Sequence, residues 1–348
     1  MKTNQRIELL SAFGIVLDDI CHAREYIDAK QNISEHNYQR FTDTIERVHI
    51  YNGWFTKENV LSALNGIKQW LTKEELSQWL ANYQISDQSP KTIGLIMAGN
   101  IPLVGFHDFL AVFLSGHQAQ IKLSSDDAVL WPIIIDILNE IDPQFLITTE
   151  LVEKLAGFDA VIATGSNNSA NYFEAYFGKY PHIIRKNRTS IAILKGDESQ
   201  EELQELGKDI FSYFGLGCRN VTQLLVPVNY DLNLFFESIY VYNDIINHHK
   251  YANNYDYNKA IYLLNSEDLL DNNFLLVRRS SELHSPIGVL FRHEYESEED
   301  IKNYLKLHEA SIQAVIGKNF IPFGKSQSPS LMDYADGVDT MAFLTGLK

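Results

Sequence analysis

Apolar residues recur on a helical period between residues 7 and 20, and Thr72-Lys73-Glu74-Glu75 forms a capping-box pattern ahead of Leu76, Trp79 and Leu80. Residues 1–90 therefore read as a helical segment. Pro90 marks a change of character, because the run Ile93-Gly94-Leu95-Ile96-Met97 has the continuous apolar composition of a strand buried on both faces. Strand and helix patterns alternate from there. Strands are predicted at 93–97, 119–123, 160–163, 190–194 and 223–226, and helices at 128–141, 168–177 and 201–214. Such alternation predicts βαβ units and a mostly parallel sheet with helices on both faces, an α/β fold. Further on, helices at 232–246 and 298–307 with strands at 274–277 and 289–291 predict a second α/β lobe.

A chain of 348 residues, 45% of them hydrophobic, can bury a sizeable core in two domains or one large one. The net charge of -16 excludes general affinity for nucleic acid or anionic lipid, since both would be repelled at long range. No apolar run approaches the ~18 residues of a membrane span, and Glu8 and Asp18-Asp19 interrupt the beginning of the chain where a signal peptide would be apolar. Cys21 and Cys218 lie far apart, with no C-x-x-C pattern to suggest a disulfide framework or a zinc site. A reducing, cytoplasmic setting follows as the expectation. No metal site is expected either: there is no H-E-x-x-H, and His248-His249 are adjacent, so they cannot both face one ion from a regular helix.

Four short segments carry candidate chemistry. Cys218 stands in Phe214-Gly215-Leu216-Gly217-Cys218-Arg219-Asn220, a thiol with flanking glycines and an adjacent cation, which is a setting for covalent catalysis. An isolated cysteine can equally be a small buried hydrophobe. Gly99-Asn100-Ile101-Pro102 follows a predicted buried strand, at the sheet edge where open α/β folds place ligand crevices, and an Asn amide there can donate to an oxyanion. The next strand ends in Lys122-Leu123-Ser124-Ser125, groups that suit ribose hydroxyls and phosphate. A third ends in Thr164-Gly165-Ser166 and runs straight into a helix, whose N-terminal N–H groups favour a phosphate. The basic run Arg185-Lys186-Asn187-Arg188 stands out against the acidic background, either as a phosphate or cysteine partner or as a solvated strand end.

Taken in order, Asn100-Ile101-Pro102, Lys122-Leu123-Ser124-Ser125, Thr164-Gly165-Ser166 and Gly217-Cys218 resemble the W-N-x-P, K-P-S-E, F-T-G-S and G-Q-x-C motifs of the aldehyde dehydrogenase superfamily. Within it, the segments GNIPLVGFHD from Gly99, IRKNRTS from Ile184, GLGCRNV from Gly215 and DYADGVDT from Asp333 resemble the long-chain acyl-CoA reductase family of bacterial bioluminescence. The resemblance runs from about Thr92 to the end of the chain. It implies a Rossmann-type parallel-sheet cofactor domain, an α/β catalytic domain and a cleft between them. Its boundaries would be 1–90 for helices packed on the cofactor domain, 91–210 for nucleotide binding, 211–325 for the catalytic domain and 326–348 for a C-terminal tail.

The roles it implies are Cys218 as nucleophile and Asn100 as oxyanion donor. Lys122, Ser124 and Ser125 would meet the adenosine ribose, Thr164, Gly165 and Ser166 the dinucleotide, and His284 the nicotinamide ribose. The departures are chemical. No carboxylate stands at Ile184-Arg185-Lys186-Asn187, where the superfamily carries the glutamate that activates the hydrolytic water. Since a positioned general base typically contributes about 10² to 10⁴ in rate, an acyl-enzyme here would persist long enough to be reduced. Ser125 replaces a glutamate that would repel a 2'-phosphate, which admits NADPH alongside NADH. The expected reaction is reduction of an acyl-CoA or acyl-protein thioester to an aldehyde. A cysteine-dependent acyltransferase or thioesterase is the alternative, and a homo-oligomer or a fatty-acid reductase complex is the assembly the resemblance allows.

Overall fold

The computed structural model describes residues 1–27, 32–85 and 89–347. They form two compact units, Met1–Lys186 with Ser330–Lys348, and Asn187–Pro329.

The first unit begins with helices α1 (Thr3–Cys21), α2 (Glu35–Arg47), α3 (Lys57–Trp70) and α4 (Lys73–Leu80). At α4 the Thr72 hydroxyl accepts from the Glu75 N–H, as the capping pattern predicts. Strands β1 (Thr92–Ile96), β2 (Gln118–Lys122), β3 (Thr149–Leu151), β4 (Ala160–Thr164) and β5 (His182–Arg185) build a five-stranded sheet in the order β3-β2-β1-β4-β5. Every pairing in it is parallel. Because β1 lies between β2 and β4, the direction of winding reverses beside β1, the topological switch point at which doubly wound sheets bind ligands. Helices α5 (Phe106–Leu114), α6 (Leu130–Ile141) and α7 (Asn167–Phe177) make the crossovers.

One hydrophobic core serves this whole unit. Phe13 of α1 stacks on Phe106 of α5, which in turn stacks on Trp131 of α6. Leu331, Met341 and Leu344, from the end of the chain, are buried in the same cluster. At about 25 cal/mol per Å² of apolar surface removed from water, this continuity holds the N-terminal helices and the last residues to the sheet.

The second unit is built on β6 (Thr189–Ile193), β7 (Val221–Pro227), β8 (Leu269–Asp271), β9 (Leu276–Arg279), β10 (Val289–Tyr295) and β11 (Ile312–Ile316), in the order β11-β6-β7-β10-β9-β8. Only the β8–β9 pair is antiparallel. Around the sheet lie α8 (Gln200–Phe211), α9 (Asn233–Ile239), α10 (His249–Leu264) and α11 (Glu298–Leu307), and α12 (Thr340–Thr345) returns to the first unit.

The unit boundary falls after Lys186 rather than near residue 210, because β6 hydrogen-bonds to β7 and β11 and so belongs to the second sheet. The predicted helix at 201–214 also ends early, at Phe211, since Tyr213 and Phe214 take positive φ. Among the described residues no helix is long and apolar enough to cross a membrane.

Candidate active site

In the first unit the sheet order places three predicted segments side by side. Lys122 closes β2, Asn100 follows β1 and Thr164 closes β4, all at the carboxyl ends of adjacent parallel strands. Asn100 and Ser125 are exposed, while Lys122, Ser124, Thr164 and Gly165 are half-buried. Ser166 is the N-cap of α7, its hydroxyl accepting from the Ser169 N–H. A β-carbon on Gly165 would come within 2.9 Å of both Phe173 and Ser169, so the turn into α7 needs a residue without a side chain.

Gly99, which stands where W-N-x-P has its tryptophan, is closely packed. A β-carbon there would lie 2.7 Å from Ser124 Oγ, because the Ser124 turn packs directly on the Gly99-Asn100 turn. Asp127 locks the two together: its Oδ2 accepts from the Leu103 N–H at 2.8 Å, and Leu103 is held at φ +56°. The Trp131 indole N–H is the other polar group beside the buried Asp127 carboxyl, and it favours the charged form.

Burial pushes the Asp127 carboxyl up from its ordinary 3.8 to about 7. A folded state that holds this proton more tightly than the unfolded chain gains stability below about pH 4, and loses it as pH rises through 7. In Asp127→Asn this titration is absent. Its melting temperature should therefore fall less than the parent's between pH 6 and pH 8.5, as scanning calorimetry would record; parallel curves would count against a buried, titrating Asp127.

In the second unit Cys218 lies just ahead of β7, at the amino end of the sheet. It is half-buried and not disulfide-bonded. The backbone before it is strained: Tyr213, Phe214 and Gly215 take φ of 52°, 58° and 80° in succession. Non-glycine residues in this region cost about 1–3 kcal/mol each and persist only where the surroundings fix them. Asn220, fully buried, does so. Its Oδ1 accepts from the Gly217 N–H at 2.8 Å, and its Nδ2 donates to the carbonyls of Asp209, Ile210 and Ser212. Ser190 Oγ donates to the Cys218 carbonyl at 3.0 Å. Phe214 stacks on His248 with ring centroids 4.1 Å apart.

His284, exposed, precedes β10, the neighbour of β7, and so stands at the same sheet edge as Cys218. The loop carrying it is pinned by Thr222 Oγ1 to the Leu283 carbonyl and by Gln223 Nε2 to those of Ser280 and Glu282. Arg219 donates to the Ser326 carbonyl. Cys21 differs from Cys218 in kind: burial pushes its thiol up, and Sγ faces the Leu61 carbonyl at 3.8 Å.

The basic run divides. Arg185 belongs to the first unit and Arg188 to the second, where it donates to the Ile312 carbonyl. Arg185 is not a solvated strand end; it is buried, with an ion pair to Asp108 at 2.7 Å. Sequence reasoning missed Asn220, Asp127 and the Arg185–Asp108 pair. Asn220 and Arg185 do lie inside the motif segments, but what identifies their roles is partners distant in sequence.

The donor set of the first unit suits a nicotinamide nucleotide: a lysine, two serine hydroxyls and a glycine turn opening a helix converge on one sheet edge. The acyl-CoA reductase (LuxC) family profile matches residues 1–230, taking in the N-terminal helices that the motif resemblance left out. No curated protein matches the chain. Solved structures do: aldehyde dehydrogenase 21 from Physcomitrella patens, in complex with its product succinate, is 13% identical with a TM-score of 0.60, covering 89% of this chain and 73% of that one. An indole-3-acetaldehyde dehydrogenase from P. syringae, in complex with NAD+, is 12% identical with a TM-score of 0.60 over 91% and 72%. Betaine aldehyde dehydrogenase from Staphylococcus aureus is 12% identical with a TM-score of 0.62 over 91% and 71%. At these identities the likeness establishes the fold, that of aldehyde dehydrogenases with Rossmann-like sheets.

Proposed function

The chain belongs to the acyl-CoA reductase (LuxC) family, and from that premise we propose that it reduces a fatty acyl thioester, of coenzyme A or of an acyl protein, to the aldehyde through an acyl-enzyme on Cys218. The observation that carries the reading is Cys218 itself, a half-buried thiol on a strained loop that Asn220 holds in place.

In this reading the Cys218 sulfur attacks the thioester carbonyl. Its bond to the acyl carbon forms as the bond to the coenzyme A sulfur breaks, and the departing thiolate takes up a proton. The oxyanion draws on the Cys218 backbone N–H and the Asn100 amide. A reduced nicotinamide nucleotide, when bound, supplies a hydride to the acyl carbon. Collapse of the resulting thiohemiacetal releases aldehyde and returns the Cys218 thiolate.

Lys122, Ser124 and Ser125 are assigned to the adenosine ribose, Thr164, Gly165 and Ser166 to the pyrophosphate, and His284 to the nicotinamide ribose. Ser125 carries no charge to oppose a 2'-phosphate, which supports NADPH as cofactor with NADH also accepted. Hydrolysis of the acyl-enzyme is disfavoured on this reading. The carboxylate brought to the 184–187 segment is Asp108, and Arg185 engages both of its oxygens.

The test is consumption of NADPH and of NADH over a ladder of acyl-CoA lengths, with the intact mass of the protein recorded when nucleotide is omitted. Expected are an acyl adduct without nucleotide and aldehyde with it. An adduct that neither nucleotide discharges would replace this reading with the acyltransferase or thioesterase one.

A further inference from the structure

Arg185 is the last residue of β5 and pairs in register with Thr164, the last residue of β4. Its carbonyl accepts from the Gly165 N–H at 3.3 Å, so its backbone holds the turn assigned to the pyrophosphate. Its guanidinium is spent in three directions. Nη2 and Nε donate to the two oxygens of Asp108, at 2.7 and 3.4 Å; Nη2 also meets Thr340 Oγ1 at 2.8 Å, and Nη1 the Ala335 carbonyl at 2.7 Å. Asp108 lies in the first turn of α5, the helix that follows the Asn100 turn. Thr340 opens α12, and Ala335 lies in the segment before it.

Segments widely separated in the chain, around Asp108, Gly165 and 335–340, thus meet at one residue. Only a planar fork of five donors makes these bonds at once; the single ammonium of lysine cannot. The side chain is 3% exposed. Its partners leave it no part in meeting substrate.

We propose that Arg185 is a positioning residue for the nucleotide, fixing the Gly165 turn against the Asn100 helix and the C-terminal segment. The proposal rests on the reading of Thr164, Gly165 and Ser166 as nucleotide-binding. With the fork removed, the end of β5 is free to shift, and the Gly165 N–H shifts with its acceptor. The Cys218 sulfur belongs to the other unit, and of the groups assigned to acylation only Asn100 adjoins a partner of Arg185, so acylation is affected less than nucleotide binding.

The experiment uses the full chain and measures NADPH and NADH dissociation constants by calorimetry for the parent, Arg185→Lys and Thr340→Val, with the rate of Cys218 acylation by acyl-CoA in the absence of nucleotide. Since displacing a binding group by about 1 Å can cost on the order of 100-fold, a loss of nucleotide affinity of at least tenfold is expected in Arg185→Lys. A smaller loss is expected in Thr340→Val, with acylation falling clearly less than nucleotide affinity in both. An Arg185→Lys protein that is folded and binds nucleotide like the parent overturns the proposal, and so does a variant in which acylation falls in step with affinity. If Arg185→Lys does not fold, Thr340→Val decides by the same two criteria. A parent protein that takes up neither nucleotide overturns the reading beneath, and this proposal with it.

Discussion

Cys218→Ala should lower acyl-CoA-dependent oxidation of NADPH below about one thousandth of the parent rate, since loss of a covalent nucleophile removes the step on which all later ones depend. The variant should keep its melting temperature, because Cys218 is only half-buried and forms no disulfide. It should also keep its nucleotide affinity, because Lys122, Thr164 and Gly165 belong to the other unit. The acyl mass adduct should vanish. Cys21→Ala is the matched control. Its thiol, pushed up by burial and turned toward the Leu61 carbonyl, has no acylating role, and the variant should turn over like the parent. Acyl-CoA reduction that survives in Cys218→Ala would remove the sulfur from the mechanism.

Asn220→Ala should be among the most damaging single changes to the second unit. The fully buried amide accepts from the Gly217 N–H and shares its two N–H hydrogens among the carbonyls of Asp209, Ile210 and Ser212. Each buried polar group left unpaired costs about 1–3 kcal/mol, so the loss in urea unfolding should reach roughly 3 kcal/mol or more. Asn220→Asp separates the two halves of the amide's work. It keeps an acceptor for Gly217 but turns oxygen toward three carbonyl oxygens, and should be at least as destabilising. The alkylation rate of Cys218 by iodoacetamide gives a second reading. Without Asn220 nothing of comparable strength opposes relaxation of Tyr213 and Phe214 out of the left-handed region, and the thiol should change its reactivity under conditions where the protein is still folded. Unchanged stability and reactivity would show that the loop is held by other means.

The residues explain how much of this could be read in advance. β1, β2 and β4 are buried on both faces; apolar runs announce β1 and β4, and the alternation of Ala119, Ile121 and Leu123 with polar residues announces β2, each to within a residue or two. Helix α5 escaped because Phe109 through Leu114 are all fully buried: a helix apolar all round carries no 3.6-residue period. Helix α10 escaped for the opposite reason. Its buried stripe is Tyr251, Tyr255, Asn258 and Tyr262, correctly spaced for a helix but made of polar-tipped residues, while Leu263 and Leu264 point outward. Strand β5 ends in a charge that looks like surface until Asp108 is brought to it from far earlier in the chain.

The candidate site divides the same way. Groups proposed to face a ligand, such as Asn100, Lys122 and Cys218, sit in motifs and are legible. Groups that hold those motifs, such as Asn220, Asp127 and Arg185, depend on partners that only folding supplies.

The first unit is discontinuous, and this orders its biosynthesis. Leu331, Met341 and Leu344 complete its core, and Ala335 and Thr340 complete the bonds of Arg185, yet all five leave the ribosome after the whole of Asn187–Pro329. The nascent first unit must wait with an open apolar face and an incompletely paired guanidinium while the second is made. The chain that emerges second, Asn187–Pro329, is the first for which every residue of its unit is available, and Ser330–Lys348, made after it, close the unit that was begun first.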